Sequence, residues 1–223
     1  MAVPNAGEKP PENSTGFIPY PTPQLRTFFA EQQAVMPPAD FLEMLGQIRL
    51  LYNKYCAALA AAPAGSDRAR AFHRMMDAAV ATAANIPVSC RYGCCGCCHC
   101  EVEITEDEAA VLREKIHGGV EIDRERLAKQ AARPLHSPAW QIPWSRDNRC
   151  VFLSEEGVCR IYEDRPAACR RLLVTTPAEA CTTPEMAVAP VRILLAEVLV
   201  SAAVQINQGV FATLSKMVRA APL

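Results

Sequence analysis

The chain has 223 residues, half of them hydrophobic, and a formal net charge of −1. That length suits one domain with a sizeable core and a smaller appendage. A charge so near zero gives no electrostatic basis for gripping nucleic acid or an anionic membrane. The opening MAVPNAGEKPPENSTG lacks the basic stretch and apolar run of a secretory signal. The most apolar segment, VRILLAEVLVSAAV, carries Arg192 and Glu197 and is soon followed by Gln205, Asn207 and Gln208. A membrane span needs about 20 largely uncharged residues, so this reads as a buried helix. The expectation is a soluble, cytoplasmic protein whose thiols stay reduced.

Residues 1–38 hold eight of the eighteen prolines and show little periodicity. They predict an extended N-terminal arm draped over the surface, with Phe17, Tyr20, Phe28 and Phe29 available for docking. Residues 39–223 read as a single helical domain. Asp40 and Glu43 suggest a capping pair, and Phe41, Leu45, Ile48, Leu51 and Tyr52 form one apolar stripe of a helix that ends at APAG. A second helix is predicted from Asp67 to Asn85, stopped by Ile86-Pro87. After a cysteine-rich loop, Thr105 and Glu108 form a capping box opening a helix that ends near Gly118-Gly119. A shorter helix spans Asp123 to Ala132 and leads into a proline-rich loop holding Trp140 and Trp144, which would cap the core.

The run CVFLSEEGVCRIY predicts a small β-hairpin around SEEG. With Leu153 paired to Val158, Cys150 and Cys159 fall on one face. Pro166 opens a short helix or turn, and Thr176, Pro177 and Glu179 another with Cys181 inside it. A long helix is expected from Pro190 to about Arg219. The predicted class is mostly α: an irregular helical domain with one small β-hairpin and cysteine-rich metal-binding loops.

Six of the eleven cysteines crowd into eleven positions: Cys90, Cys94, Cys95, Cys97, Cys98 and Cys100. Four more recur at Cys150, Cys159, Cys169 and Cys181. An odd total and adjacent cysteines argue against a disulfide framework. Thiolates from two separated loops are the usual ligands of zinc and of iron–sulfur clusters. Arg91, Arg149, Arg160, Arg165, Arg170 and Arg171 lie among them and would offset the charge of gathered thiolates. Vicinal Cys97 and Cys98 would point to opposite sides of an extended segment, so one is spare or the two face different sites. Cys56 reads as a small core residue on a helix face. His99, flanked by cysteines, has a better claim to a metal than His136. CGCC lacks the βαβ setting of a thioredoxin-like redox pair.

The runs CRYGCCGCC, VEITEDE and CVFLSEEGVCRIYEDRPAACRRL resemble the YkgJ-type cysteine-cluster proteins, a zinc- or iron-chelating family. The family pattern resembles C-x3-C-x2-CC, then C-x-x-L, C-x-I-Y-x-x-R-P and C-R. The matching positions are Cys90, Cys94, Cys97 and Cys98, then Cys150, Cys159 and Cys169, with Tyr162, Arg165 and Pro166 between the last two. Cys181 resembles a further position, and the likeness covers roughly residues 88–182. Cys95 and Cys100 are extra to the pattern. The resemblance implies a metal set of Cys90, Cys94, Cys97, Cys98, Cys150, Cys159, Cys169 and Cys181, with Arg165 and Arg170 beside the bound group. That group would be an iron–sulfur cluster, a [4Fe–4S] cluster first, or zinc.

Enzymatic relatives in the family are flagellin lysine N-methylases, which implies S-adenosylmethionine-dependent modification of a protein or peptide side chain. The alternative is a non-enzymatic zinc- or iron-binding module for storage, delivery or partner docking. Cys90, Cys94 and Cys97 also satisfy the C-x3-C-x2-C spacing of radical S-adenosylmethionine enzymes. The repeated β/α units of that class are missing, and Gly96 stands where an aromatic is usual. No glycine-rich strand–turn–helix marks a conventional methyltransferase.

Overall fold

The chain is mostly helical, with one antiparallel two-stranded ribbon and a cysteine-rich region. The computed structural model describes residues 16–142, 145–183 and 185–219. Helix α1, Pro23–Val35, follows the N-cap Thr22, whose Oγ1 accepts the Leu25 N–H at 3.1 Å. A proline at the first helical position loses no hydrogen bond and fixes a helical φ, so TPQL is a start signal. Within the expected extended arm, residues 23–35 are therefore a helix. Ile18, Leu25 and Phe29 are buried in the core rather than draped on it; residues 1–15 lie outside the described residues.

Helix α2 runs Pro38–Ala60 and α3 Ser66–Ala81. The stripe Phe41, Leu45, Ile48 and Tyr52 is buried as its spacing predicts. The expected cap at Asp40 is absent: α2 begins at Pro38, and Glu43 accepts from Gln47 Nε2 instead. Helix α3 tightens into three-residue turns after Ala81, four residues short of the predicted end. Helix α7, Leu194–Ile206, packs against α1, α2 and α3 and completes this first core.

The second core gathers α4 (Glu106–His117), α5 (Arg124–Ala131), residues 151–161 and α8 (Leu214–Arg219). The Thr105–Glu108 capping box is formed, and α4 stops at Gly118. Strand β1 (Glu103–Thr105) pairs antiparallel with β2 (Phe211–Thr213), Ile104 opposite Ala212. The single long C-terminal helix is thus not formed. Gln208 and Gly209 both adopt positive φ, 57° and 77°, and turn the chain into β2. Asn207 fixes the break, its side chain accepting from the Asp107 N–H and donating to Asp107 Oδ2.

The expected hairpin at 150–162 is reduced to one bridge, Leu153 with Cys159, a residue out of the predicted register. Gly157, at φ 79°, closes the turn by donating to Ser154 O, and Ser154 N–H donates to Val158 O. Among the described residues no helix is long and apolar enough to cross a membrane.

Candidate metal centre

Four chain segments bring the cysteines together. The first is anchored where the Ser89 N–H donates to Val174 O at 2.9 Å. It turns at Gly93 (φ 81°), Cys94 N–H donating to Arg91 O, and enters a 3-10 turn, Gly96–His99. Gly96 is buried against another 3-10 turn, Ala178–Cys181. A Cβ on Gly96 would stand 2.5 Å from the Cys181 Cβ. Only glycine lets the two backbones approach so closely.

The second segment begins at Cys150, whose N–H donates to Cys98 O at 2.7 Å. Cys159 follows across the Gly157 turn. The Cys95 sulfur packs against that turn, 3.6 Å from where a Gly157 Cβ would lie. The third segment is the short helix α6, Ala167–Arg171, which carries Cys169 in its middle. Glu108 holds it: Oε1 accepts the Ala167 N–H at 2.8 Å and faces His73 Nε2 at 3.3 Å, while Oε2 accepts the Thr105 N–H at 3.0 Å. The fourth is the turn ending at Cys181. No cysteine is paired in a disulfide; Cys100 is exposed, and the rest are half-buried.

The thiols titrate as a coupled group. Cys98 S–H donates to the Cys97 sulfur, which with help from Arg165 lowers Cys97 to about 7. Cys98 is driven up for the reciprocal reason, reinforced by desolvation and by Cys150 and Cys169. Desolvation pushes Cys150 up to about 11, with Cys159 and Cys97 adding repulsion. Cys169 lies well above its ordinary value because of desolvation, then Cys150, Cys97 and Cys159. Desolvation likewise raises Cys90, Cys159 and Cys181; Cys94, Cys90 and Cys97 are the charges that bear on Cys181. A metal that replaces these protons relieves the cost of gathering them.

The two arginines expected beside the bound group divide. Arg165 stacks over the Tyr162 ring, 4.0 Å from its centroid, and its charge favours the thiolates of Cys90, Cys97 and Cys159. Arg170 turns to the helical body. Its Nη1 donates to both Asp77 carboxylate oxygens at 2.8 and 2.9 Å, its Nε to Arg165 O, and its Nη2 to Glu163 O. It braces the segment that carries Arg165. Arg171 pairs with Glu197, Arg160 with Glu121, and Arg149 with Glu155 and Ser154 O. Arg126, on α5, is the cation whose charge favours the Cys150 thiolate. No sequence signal marks it, since it lies outside every cysteine run.

Desolvation holds His99 below its ordinary value. His136 sits elsewhere, at φ 58°, with Nδ1 3.4 Å from Glu101 and 3.8 Å from Glu103. The His136 N–H donates to both Glu101 carboxylate oxygens at 3.0 and 3.2 Å, which ties the 133–142 loop to the chain just before β1. Trp140 lies under Arg133 and lines a cavity of about 20 Å³ together with Cys100 and Cys150. Trp144 lies outside the described residues.

Residues 89–186 match the family model CxxCxxCC, described as "Putative zinc- or iron-chelating domain". No curated protein and no solved structure matches the chain.

Proposed function

Since residues 89–186 belong to the YkgJ-type cysteine-cluster family, a zinc- or iron-chelating domain, we propose that this protein is an iron–sulfur protein. Its thiolate ligands come from Cys90, Cys94, Cys97, Cys98, Cys150, Cys159, Cys169 and Cys181. The donor set is the observation that carries the choice of cluster over zinc: soft thiolates throughout, more of them than one tetrahedral ion takes, with the Arg165 guanidinium offsetting their charge.

A bound cluster supplies one-electron transfer or an iron for delivery. The eight cysteines would hold it, and the Arg165 guanidinium would offset its charge. The role proposed is a non-enzymatic module for holding and passing on iron, as against S-adenosylmethionine-dependent modification of a lysine side chain. The cavity beside Cys100 and Cys150, at about 20 Å³, has room for about one water and is not itself a cofactor cleft.

Anaerobic purification tests this reading. The expected preparation absorbs broadly in the visible and contains iron with an equal amount of acid-labile sulfide. Zinc without sulfide would overturn the cluster, and a metal-free protein would overturn the whole reading. Calorimetric titration with S-adenosylmethionine should give no binding heat; saturable binding would restore the enzyme.

A further inference from the structure

We infer that Glu101, Glu103 and His136 form a separate, thiol-free site for a divalent transition-metal cation. The site lies outside the eight cysteines and does not depend on what they hold, since its donors are two carboxylates and an imidazole.

A strand and a loop build it. Glu101 and Glu103 stand two residues apart on the extended segment that enters β1, so their side chains leave from one face. The alternate residues Val102 and Ile104 pack into the second core. His136 comes from the 133–142 loop, 35 positions beyond Glu101, and its N–H donates to both Glu101 oxygens at 3.0 and 3.2 Å. The backbone of one ligand thus orients the carboxylate of another. Metal-bound carboxylates are held by outer hydrogen bonds of this kind.

The spacing is that of a coordination shell. Bonds of about 2.1 Å set ligand atoms about 3.4 Å apart around a tetrahedral ion and about 3.0 Å apart around an octahedral one. His136 Nδ1 lies 3.4 Å from Glu101 Oε2 and 3.8 Å from Glu103 Oε1. All three ligand atoms lie within 4.8 Å of one another. Among the described residues, no lysine or arginine lies within 4.0 Å of either carboxylate. The imidazole separates this trio from a patch of surface acids, because nitrogen with oxygen donors suits ferrous, zinc or manganous ions. Three protein ligands leave at least one position to water. The side chains of Glu103 and His136 are 39 and 44 % exposed, so that position is open to solvent. An ion held this way is exchangeable.

Mn²⁺ is the probe, because carboxylates bind it well and thiolates poorly. Full-length protein is purified anaerobically with its cysteine centre as it comes, then freed of exchangeable ions by gel filtration. It is titrated with Mn²⁺ while electron paramagnetic resonance counts the free ion. Wild type should bind one ion per chain. His136→Asn, which keeps a residue tolerant of positive φ, and Glu103→Gln should each weaken binding about tenfold or more. Glu121→Gln, on an exposed glutamate elsewhere, should leave it unchanged. Wild type that binds no Mn²⁺ would overturn the site and leave the trio an ion pair. His136→Asn that binds as well as wild type would overturn it too, leaving two surface acids. Equal weakening in the Glu121 control would mean scattered adventitious binding and would also refute the site. Far-ultraviolet circular dichroism checks folding; should His136→Asn unfold, the half-exposed Glu103→Gln decides by the same criterion. Cysteine-bound metal and sulfide, counted in the same samples, should not change in any variant, so the two sites succeed or fail separately.

Discussion

Leu25→Ala asks whether the N-terminal segment belongs to the core. Leu25 is 0 % exposed, packed with Ile18 and Phe29 in the cluster that α1 shares with α2 and α7. Removing three carbons forfeits about 2.4 kcal/mol of transfer free energy at about 0.8 per methylene. A cavity term adds to this, because buried Leu→Ala changes span about 2–5 kcal/mol according to how far the site collapses. Collapse is restricted here. The Thr22 N–H donates to Ser201 Oγ at 3.3 Å, and Thr22 Oγ1 donates to Glu197 Oε2 at 2.6 Å, pinning the start of α1 to α7. The expected loss is therefore in the upper half of that range, about 4 kcal/mol. For a chain of this size that corresponds to a fall in Tm of about 8–16 °C. Val35→Ala, on the same helix but 76 % exposed, should stay within about 0.5 kcal/mol of wild type. Urea unfolding of both variants measures the difference. If Leu25→Ala lies within about 1 kcal/mol of Val35→Ala, α1 is a detachable arm and its packing contributes little.

Arg165→Ala should speed metal loss to a chelator about tenfold, because it removes the guanidinium that favours the thiolates of Cys90, Cys97 and Cys159. Arg170→Ala should instead lower unfolding free energy by about 2 kcal/mol through its lost bonds to Asp77; a reversal of the two phenotypes would refute the division of roles. Gly96→Ala drives a methyl to 2.5 Å from the Cys181 Cβ, so it should cost about 1–3 kcal/mol and reduce bound metal. Gly46→Ala, in α2 with nothing within 4 Å, should be stabilising by about 0.5–1 kcal/mol. Equal melting temperatures for these two glycine variants would count against the close approach. Metal binding expels thiol protons, the first from Cys97 at about 7 and the others at higher pH. Retention should therefore weaken steadily as pH falls from about 8 to about 6; a flat profile in competition with a chelator would exclude thiolate ligation.

The cysteine runs were legible because a thiol's affinity for metal belongs to the side chain, and only the spacing remained to be read. The capping box at Thr105 and Glu108 was legible for a similar reason, since its two halves lie three residues apart. What Glu108 does beyond the cap was not, because Ala167 is 59 positions away along the chain. At the N-terminus, proline content hid a helix. Pro23 follows a capping threonine, where proline starts helices rather than excluding them. At the C-terminus, hydrophobic content hid a break, because Gln208 and Gly209 in left-handed conformation outweigh the apolar run before them. The turn at 154–157 depends on a positive φ at Gly157, and a one-residue change in such a turn moves every opposed side chain. The cluster of arginines was visible as composition, but composition does not tell a guanidinium that faces thiolates from one that faces Asp77.

A five-residue helix such as α6 is too short to persist by its own backbone hydrogen bonds, yet it carries Cys169. Three polar joints hold it, each to a different helix. Glu108 of α4 accepts its first N–H, Asp77 of α3 takes Arg170, and Glu197 of α7 takes Arg171. A buried carboxylate that loses a hydrogen-bond donor costs about 1–3 kcal/mol or more, so the joints that include buried Glu108 and Glu197 resist opening. The 90–100 loop is fastened differently, by backbone contacts to Val174, Cys150 and Cys181. These hold register without fixing side chains. One set of thiols is thus built on the helical body and the other on a segment that can adjust. Cys169 would therefore be held for a metal by the helical body, and Cys97 and Cys98 by a segment fixed through its backbone.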